Sequence, residues 1–333
     1  MTEDLIECIP NISLAEDEPL LSEIIEALEN VPGLYLLHVD SSKSIKRTVL
    51  TLVGNWTAVS TAVRQLTRLL LSGADLKYYE SPHPHVGLLD VCPFVPVRGV
   101  SDQQCIELVE GLAVSINDEF GVPVYFYEKS AKSPDRQRLE FIRKGGKENL
   151  KVRILHGFRP DVGEQLHITA GAIVMGVRDY LVAYNINLNS ADTSAADSIA
   201  RYVRKLTQDS VLNGAKAIGW YNADYRSCQV SINLTDPGTT GMFTVFDHVS
   251  HQASTLGLNV VGSELIGMIT NRQMVLSGLQ ALMTNEKDAV WTYKSCLEAA
   301  ISYLGLDRVR PFVPEYQILD QRFTQLSRET VIF

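Results

Sequence analysis

Hydrophobic and polar positions along the first half of the chain predict strands and helices in alternation. Short apolar runs rich in β-branched and aromatic residues predict strands at 5–9, 35–40, 48–53, 89–95 and 122–127. Apolar residues at helical spacing predict helices at 16–28, 57–71 and 103–120, and a fourth helix is predicted at 134–144 within a polar, basic stretch. Asp102 is expected to cap the third helix, and a surface loop to residue 153 is expected after the fourth.

The pattern restarts at Tyr180. Strands are predicted at 180–188, 215–221, 229–234 and 259–269, and helices at 194–207 and 242–256. The order β-α-β-β-α-β resembles a ferredoxin-like unit. We therefore predict an α+β fold made of two ferredoxin-like α/β subdomains, 1–179 and 180–275, with sheets stacked face to face and helices outside. Residues 276–333 are expected to form a C-terminal helical extension with a helix at 290–304.

Composition and charge narrow the function classes. The 333 residues are enough for two domains, and the formal net charge of −9 argues against non-specific binding of nucleic acid. No apolar run reaches the roughly 18 residues of a membrane span, and the acidic N-terminus does not read as a signal peptide. The five cysteines are scattered without metal-site spacing. We expect a cytoplasmic protein with reduced thiols and neither nucleic-acid nor membrane partners.

The stretch 81–97, SPHPHVGLLDVCPFVPV, is the strongest candidate for chemistry. Its prolines exclude a continuous helix, so two histidines, His83 and His85, stand where extended backbone enters a buried strand. Histidine exchanges its proton near neutral pH, which suits general acid–base work, although most histidines are only surface or hydrogen-bonded residues. A metal site is disfavoured, because Asp90 is the only further ligand nearby in the sequence.

Motifs for other chemistries are missing. The chain contains no GxGxxG leading into a helix, no P-loop, no nucleophile-elbow serine and no HExxH. Hydride transfer, ATP hydrolysis and zinc proteolysis therefore lack their usual sequence support.

Several short segments occur in an order typical of one known family. They are ECIPNIS at 7–13, HVD at 38–40, RTV at 47–49, HP at 83–84, GLLDVCPF at 87–94, PVRGV at 96–100, GVR at 176–178, AYNINL at 183–188, AIGWY at 217–221, VSINLTD at 230–236 and VGSELIG at 261–267. Over roughly residues 5–270 the chain resembles the glutamate formimidoyltransferase family, the formiminotransferase part of formimidoyltransferase-cyclodeaminase.

The resemblance implies a reaction and its central residues. A formimino group would move from N-formimino-L-glutamate to N5 of tetrahydrofolate, the co-substrate, within histidine degradation, and the protein would be a homodimer. His83 stands at the family's catalytic histidine, and Asp40 matches an active-site aspartate that could orient its imidazolium. Their local sequence alone would also suit a surface histidine and an aspartate at the end of a strand.

The resemblance also implies binding residues. Both substrates carry carboxylates, which arginine can bind through two parallel hydrogen bonds, and the candidates are Arg47, Arg98 and Arg178. The segment GEQLHITAG occupies the place of the family's folate-binding loop, with Gly163, His167, Thr169 and Gly171 as candidate lining residues. The plainer interpretations are solvated arginines and an ordinary connector.

Some positions depart from the family pattern. His85 replaces an arginine, Val86 a methionine and Lys46 an asparagine, and the folate loop is about one residue short. His85 would replace a permanent charge beside the proton shuttle with one that titrates near pH 6.5, so we expect it to take part in catalysis in a pH-dependent way. The alternatives are a folate-binding relative with weak or no turnover and a transferase for another one-carbon donor.

Overall fold

A computed structural model gives the fold for residues 4–15, 18–81, 84–285, 291–328 and 333. The chain divides into two compact units, Met1–Arg178 and Asp179–Phe333. Within the described residues, no helix is both long and apolar enough to cross a bilayer.

The first unit combines a mixed sheet with helices. Its strands are β1 Leu5–Cys8, β2 Asn11–Ile12, β3 Leu34–Ser42, β4 Arg47–Gly54, β5 Leu89–Arg98, β6 Val124–Phe126 and β7 Ile173–Val177. Its helices are α1 Pro19–Glu29, α2 Trp56–Gly73, α3 Asp102–Phe120, α4 Leu139–Ile142 and α5 Gly146–Leu155. Strand β3 pairs with β4, and the sheet continues through β1 and β2 to β5, β7 and β6.

The two faces of this sheet differ in character. Apolar residues such as Ile6, Leu50 and Phe94 lie in the main core of the unit, together with apolar residues of α1, α2 and α3. Because side chains alternate along a strand, the intervening positions point to the opposite face. Glu7, Asn11, Asp40 and Arg47 lie there, and we call this the polar face of the first sheet. At the β7–β6 end, α4 and α5 contribute Ile142 and Leu150 to a smaller core.

The local sequence explains how the helices begin. Asn55 caps α2, where its side chain accepts a hydrogen bond from the backbone of Ala58. The predicted cap at Asp102 is wrong, because Ser101 caps α3 in a reciprocal capping box with Gln104. Asp102 is instead the first residue of the helix, where its negative charge interacts favourably with the positive end of the helix dipole.

The basic stretch after β6 differs from the prediction. The helix expected at 134–144 is two short pieces, a 3₁₀ turn at Pro134–Gln137 and α4. Helix α5 occupies the predicted surface loop and starts after Gly145, whose φ of 76° is in the left-handed region. Strand β7 was not predicted, since a short, fully buried parallel strand has no alternating pattern.

In the second unit the described elements follow the predicted order closely. They are β8 Val182–Leu188, α6 Thr193–Gln208, β9 Ala215–Asn222, β10 Ser227–Leu234, α7 Met242–Thr255 and β11 Val260–Ile266. The strands form an antiparallel sheet in the order β11-β8-β10-β9. Tyr184, Val230 and Leu265 point into a core shared with α6 and α7, so the alternate residues of the strands form a polar face of the second sheet.

The C-terminal part of this unit is helical. It contains α8 Asn271–Asn285, α9 Tyr293–Leu304, α10 Pro314–Gln317 and α11 Leu319–Ser327. Met274, Ala300 and Leu304 belong to the same core as the sheet. Helices α8 and α9 pack closely at Gly278, where a Cβ atom would lie 1.8 Å from the carbonyl oxygen of Cys296.

Candidate functional site

The predicted proton shuttle, His83, lies outside the described residues, as does Pro82. The described part of the candidate site therefore starts at Pro84, and we call residues 84–88 the histidine segment. The chain from Pro84 into β5 is buried from His85 onward.

Asp90 is the centre of a buried ion cluster beside this segment. It is fully buried, and its Oδ2 accepts hydrogen bonds from Nη1 of Arg47, at 2.9 Å, and from Nη2 of Arg143. Its Oδ1 accepts a hydrogen bond of 2.8 Å from the backbone N of Val86. Asp90 therefore ties the residue after His85 to two cations.

The β-sheet register explains the position of Asp90. Asn11 pairs with Val91 and Ile12 pairs with Leu89, so Asp90 is the extra residue of a β-bulge. A bulge turns a side chain away from its regular face, which lets Asp90 reach Arg47. Arg47 also donates to Oδ1 of Asn11 through Nε, at 3.2 Å, and Nη2, at 2.9 Å.

Two guanidinium groups, those of Arg47 and Arg143, bond to the one carboxylate of Asp90. Burial lowers the pKa of Arg143 to about 10, and the charge of Asp90 works in the opposite direction. Nε of Arg143 has no acceptor within the part of the chain that the structure describes. Arg143 therefore keeps one buried guanidinium donor close to the histidine segment, and this donor suits the oxygen of a negatively charged group.

His85 packs inside the unit. Its side chain is 8% exposed, and its ring meets that of Tyr79 edge to face, with the centroids 4.7 Å apart. The Tyr79 hydroxyl donates to the backbone oxygen of Lys46, in the turn between β3 and β4. Two of the departures from the family pattern, His85 and Lys46, are thus linked through one tyrosine.

Asp40 lies on the polar face of the first sheet. It is buried and pairs with Val49 of β4, and Asn11 pairs with the same valine from the other side. Ser42 pairs with Arg47 two residues further along the hairpin. The sheet therefore places Asp40 on the face and at the end of the sheet where Arg47 and Asn11 lie.

The other two predicted arginines lie at different places in the unit. Arg98 is the last residue of β5 and pairs with Leu5, at the opposite end of the sheet from Arg47. Arg178 follows β7, and its positive charge lowers the pKa of the buried Glu7, but burial is the larger effect and raises that pKa to about 7. Arg98 therefore lies apart from Arg47. Burial raises the pKa of Tyr127, and the positive charges of Arg178 and Arg143 both lower it, so Arg178 lies close to the ion cluster.

The predicted folate loop is joined directly to the histidine segment. Gly87 and Gly171 form an isolated antiparallel bridge. On either side of it, the backbone N of Leu88 donates to Ala170, at 2.9 Å, and that of Ala172 donates to Val86, at 3.0 Å. Two regions far apart in the sequence thus form one continuous backbone structure.

The loop itself is organised by His167. Its Nδ1 accepts hydrogen bonds from the backbone N of Thr169, at 3.3 Å, and of Ala170, at 3.1 Å. Burial lowers the pKa of His167, which favours the neutral ring that can accept these bonds. An open depression of about 710 Å³ is lined by residues 163–169 with Asn117 and Gly121, and Ile168 on the loop is 95% exposed.

The structure thus joins Gly171 of the loop to the histidine segment, and His167 bonds to the backbone of Gly171. Thr169 bonds to Leu76, and Gly163 lies beside Asn117 and Pro123. Two residues of the arrangement, Asp90 and Arg143, were not predicted as site residues from the sequence. Asp90 was considered only as a weak metal ligand, although a lone charge inside an apolar strand needs a buried partner. Arg143 was missed because it lies in a polar, basic stretch that was predicted as a helix without a buried face, and only its position after Phe141-Ile142 hinted at burial.

Comparison with known families finds two matching domain models. The model of the N-terminal subdomain of the formiminotransferase domain matches residues 5–178, and the formiminotransferase domain model matches residues 183–324. The two matches fall in the two compact units.

Individual relatives give the same picture. A glutamate formimidoyltransferase of Streptococcus pyogenes serotype M1 is 34% identical over 273 residues, which are 81% of this chain and 91% of that protein. One from Thermoplasma acidophilum is 30% identical over 81% of this chain and 90% of its own length. The formimidoyltransferase-cyclodeaminase of Mus musculus is 35% identical over 95% of this chain, which spans 59% of that longer protein. The chain therefore belongs to the formiminotransferase family.

Proposed function

We propose that this protein transfers a formimino group from N-formimino-L-glutamate to N5 of tetrahydrofolate. The observation that carries the proposal is the bridge between Gly87 and Gly171. This backbone bridge supports the proposal because it joins two regions that the family resemblance assigns separately to proton transfer and to folate binding. The relatives named above support this, since they are called formimidoyltransferases.

The reaction needs one group that moves a proton twice. N5 of the folate attacks the formimino carbon, a tetrahedral intermediate forms, and the amine of glutamate leaves. His83 would accept the proton of N5 and return one to the leaving nitrogen, a role suited to a group with a pKa near neutral. Asp40 would orient the imidazole and stabilise its charged form.

The buried charges near this segment suit carboxylate substrates. Arg143 is a buried cation whose Nε has no acceptor among the described residues, so it can still donate to a carboxylate oxygen. We propose that the cluster attracts a substrate carboxylate, with Arg98 and Arg178 contacting others. The exposed Ile168 and the depression beside the loop would contact the apolar part of folate.

We also propose the architecture expected from the sequence, which is two ferredoxin-like units with stacked sheets. The strand order β11-β8-β10-β9 supports a ferredoxin-like topology for the second unit. Stacking of the two sheets, a homodimer and a cytoplasmic location stay predictions.

Turnover by the purified chain tests the function. Tetrahydrofolate and N-formimino-L-glutamate are incubated with the protein, and formimino-tetrahydrofolate is detected by mass spectrometry. His83→Ala should lower kcat by roughly 10²–10⁴ and leave the Kd of folinate within about threefold, as for a proton shuttle. His156→Ala, at an exposed histidine of the same unit, is the control. Wild-type turnover in His83→Ala would refute the assigned role.

A folate-binding protein with little or no turnover is the second candidate. It is favoured by His85, which is buried against Tyr79 where the family usually has an arginine. Binding of folinate by the wild type without any formimino transfer would support it. If His85→Arg then restores transfer, the histidine at position 85 is the cause of the missing turnover.

A further inference from the structure

The polar face of the second sheet holds a hydrogen-bonded amide cluster that the proposed mechanism does not use. Asn187 of β8 pairs directly with Gln229 of β10, which pairs directly with Trp220 of β9. Asn185 and Glu264 pair with each other one step along the same face. Asn185, Asn187, Gln229 and Glu264 are all at least 95% buried.

Glu264 is the fully bonded centre of this cluster. Its Oε1 accepts from the side-chain amides of Gln229, at 2.8 Å, and Asn185, at 3.2 Å. Its Oε2 accepts from the hydroxyl of Tyr225, at 2.6 Å, and lies 3.4 Å from Nε of Arg310. Four donors satisfy both carboxylate oxygens, so Glu264 has little capacity for a ligand.

Asn187 is the member with an unused group. Its Oδ1 accepts a hydrogen bond of 2.9 Å from Nε2 of Gln229, which fixes the orientation of the amide. Its Nδ2, fully buried, donates to no acceptor in the described part of the chain, and Nε1 of Trp220 in the same row also lacks one there. A buried donor without an acceptor is destabilising, so native proteins rarely keep one without a reason.

We propose that Asn187 is a binding residue for a substrate oxygen, carbonyl or carboxylate, which accepts a hydrogen bond from Nδ2. The inference rests on the proposed function, because both substrates carry such oxygens: the oxo group and glutamate tail of the folate, and the two carboxylates of formiminoglutamate. Gln229 and Glu264 hold the amide in place. Trp220 lies two strands away, about 10 Å, and flanks the same ligand.

Calorimetric titration of wild type and variants with two separate probes, folinate and N-formimino-L-glutamate, tests this. Asn187→Leu removes the free donor, while Gln229 keeps Glu264 as its acceptor. We expect Asn187→Leu to raise the Kd of one probe at least tenfold, and the affected probe identifies the substrate. The matched control is Asn185→Leu on the same strand and face, where the amide is already bonded. It should lower the urea midpoint of unfolding and change neither Kd more than threefold.

Each outcome is decisive. If Asn187→Leu does not fold, Asn187→Asp replaces the donor while keeping the acceptor for Gln229, and the same rise in Kd is expected. Unchanged Kd values for both probes, or equal losses in the Asn185 control, overturn the inference and leave Asn187 a structural residue. Absence of transfer by a wild type that binds folinate overturns the proposed function alone. A wild type that binds neither probe overturns both.

Discussion

Gly87 and Gly171 lie opposite each other at a point where neither position has room for a Cβ atom. A Cβ at Gly87 would be 2.1 Å from the carbonyl oxygen of Ala172, and one at Gly171 would be 2.2 Å from that of Val86. Gly171 also has φ of 73°, in the left-handed region. The close approach of two backbones therefore requires glycine on both sides.

Gly87→Ala and Gly171→Ala should each lower the free energy of unfolding by about 1–3 kcal/mol, because the backbones must separate. Folinate binding should weaken in parallel as the loop loses its contact with the histidine segment. Gly111→Ala is the control, since a Cβ there meets nothing within 4 Å, and in α3 it should stabilise by about 0.5–1 kcal/mol. Urea unfolding measures all three, and an unaffected Gly171→Ala would show that the bridge is not close-packed.

Asp90→Ala should strongly destabilise the first unit. It leaves the buried guanidinium groups of Arg47 and Arg143 without their shared carboxylate, and breaking a buried ion pair costs about 3–5 kcal/mol. Glu148→Ala is the control. It removes the exposed ion pair with Lys151 and should lower the free energy of unfolding by less than about 1 kcal/mol. Chemical unfolding at neutral pH compares the two, and equal losses would mean that Asp90 is not the partner that holds these arginines.

Glu7 should make stability depend on pH. Burial raises its pKa from 4.5 to about 7, so between these values the native state keeps a proton that the unfolded state releases. This carboxyl therefore lowers the free energy of unfolding as pH rises from about 4.5 to 7, by about 3 kcal/mol in all, and adds no further change above that.

Glu7→Gln imitates the protonated side chain, so its free energy of unfolding should not fall in this way as pH rises. The stability difference between variant and wild type should grow in favour of the variant from pH 4.5 to 8, as measured by urea unfolding. Glu23→Gln on an exposed position of α1 is the control and should show no such growth. A constant difference for Glu7→Gln would contradict the shifted pKa.

Lys46→Asn should stabilise the hairpin between β3 and β4. Lys46 has φ of 48°, a conformation that asparagine tolerates better than lysine, and asparagine is the residue expected there from the family pattern. We expect a gain of about 0.5–1 kcal/mol in the free energy of unfolding. Ser44→Asn, in the same turn without positive φ, should give no gain, and equal effects would show that backbone conformation is not the cause.

Local sequence determined the elements of this protein and their buried faces. In β10, Val230, Ile232 and Leu234 alternate with polar residues, and the structure buries them in the core as that pattern predicts. Backbone hydrogen bonding and side-chain alternation act over a few residues, so the sequence contains them directly. The predictions failed where this local signal is weak, as in the broken helix after Ser133 and the parallel strand β7.

Only the tertiary structure decided which residues share a site. Arg143 reaches Asp90 across 53 positions of sequence, and the contact depends on a bulge that the hydrophobic pattern does not reveal. The bridge of Gly87 to Gly171 and the row from Asn187 to Trp220 likewise depend on strand register. Register is set by the packing of whole sheets and turns, so a site built across several strands emerges only when the sheet has formed.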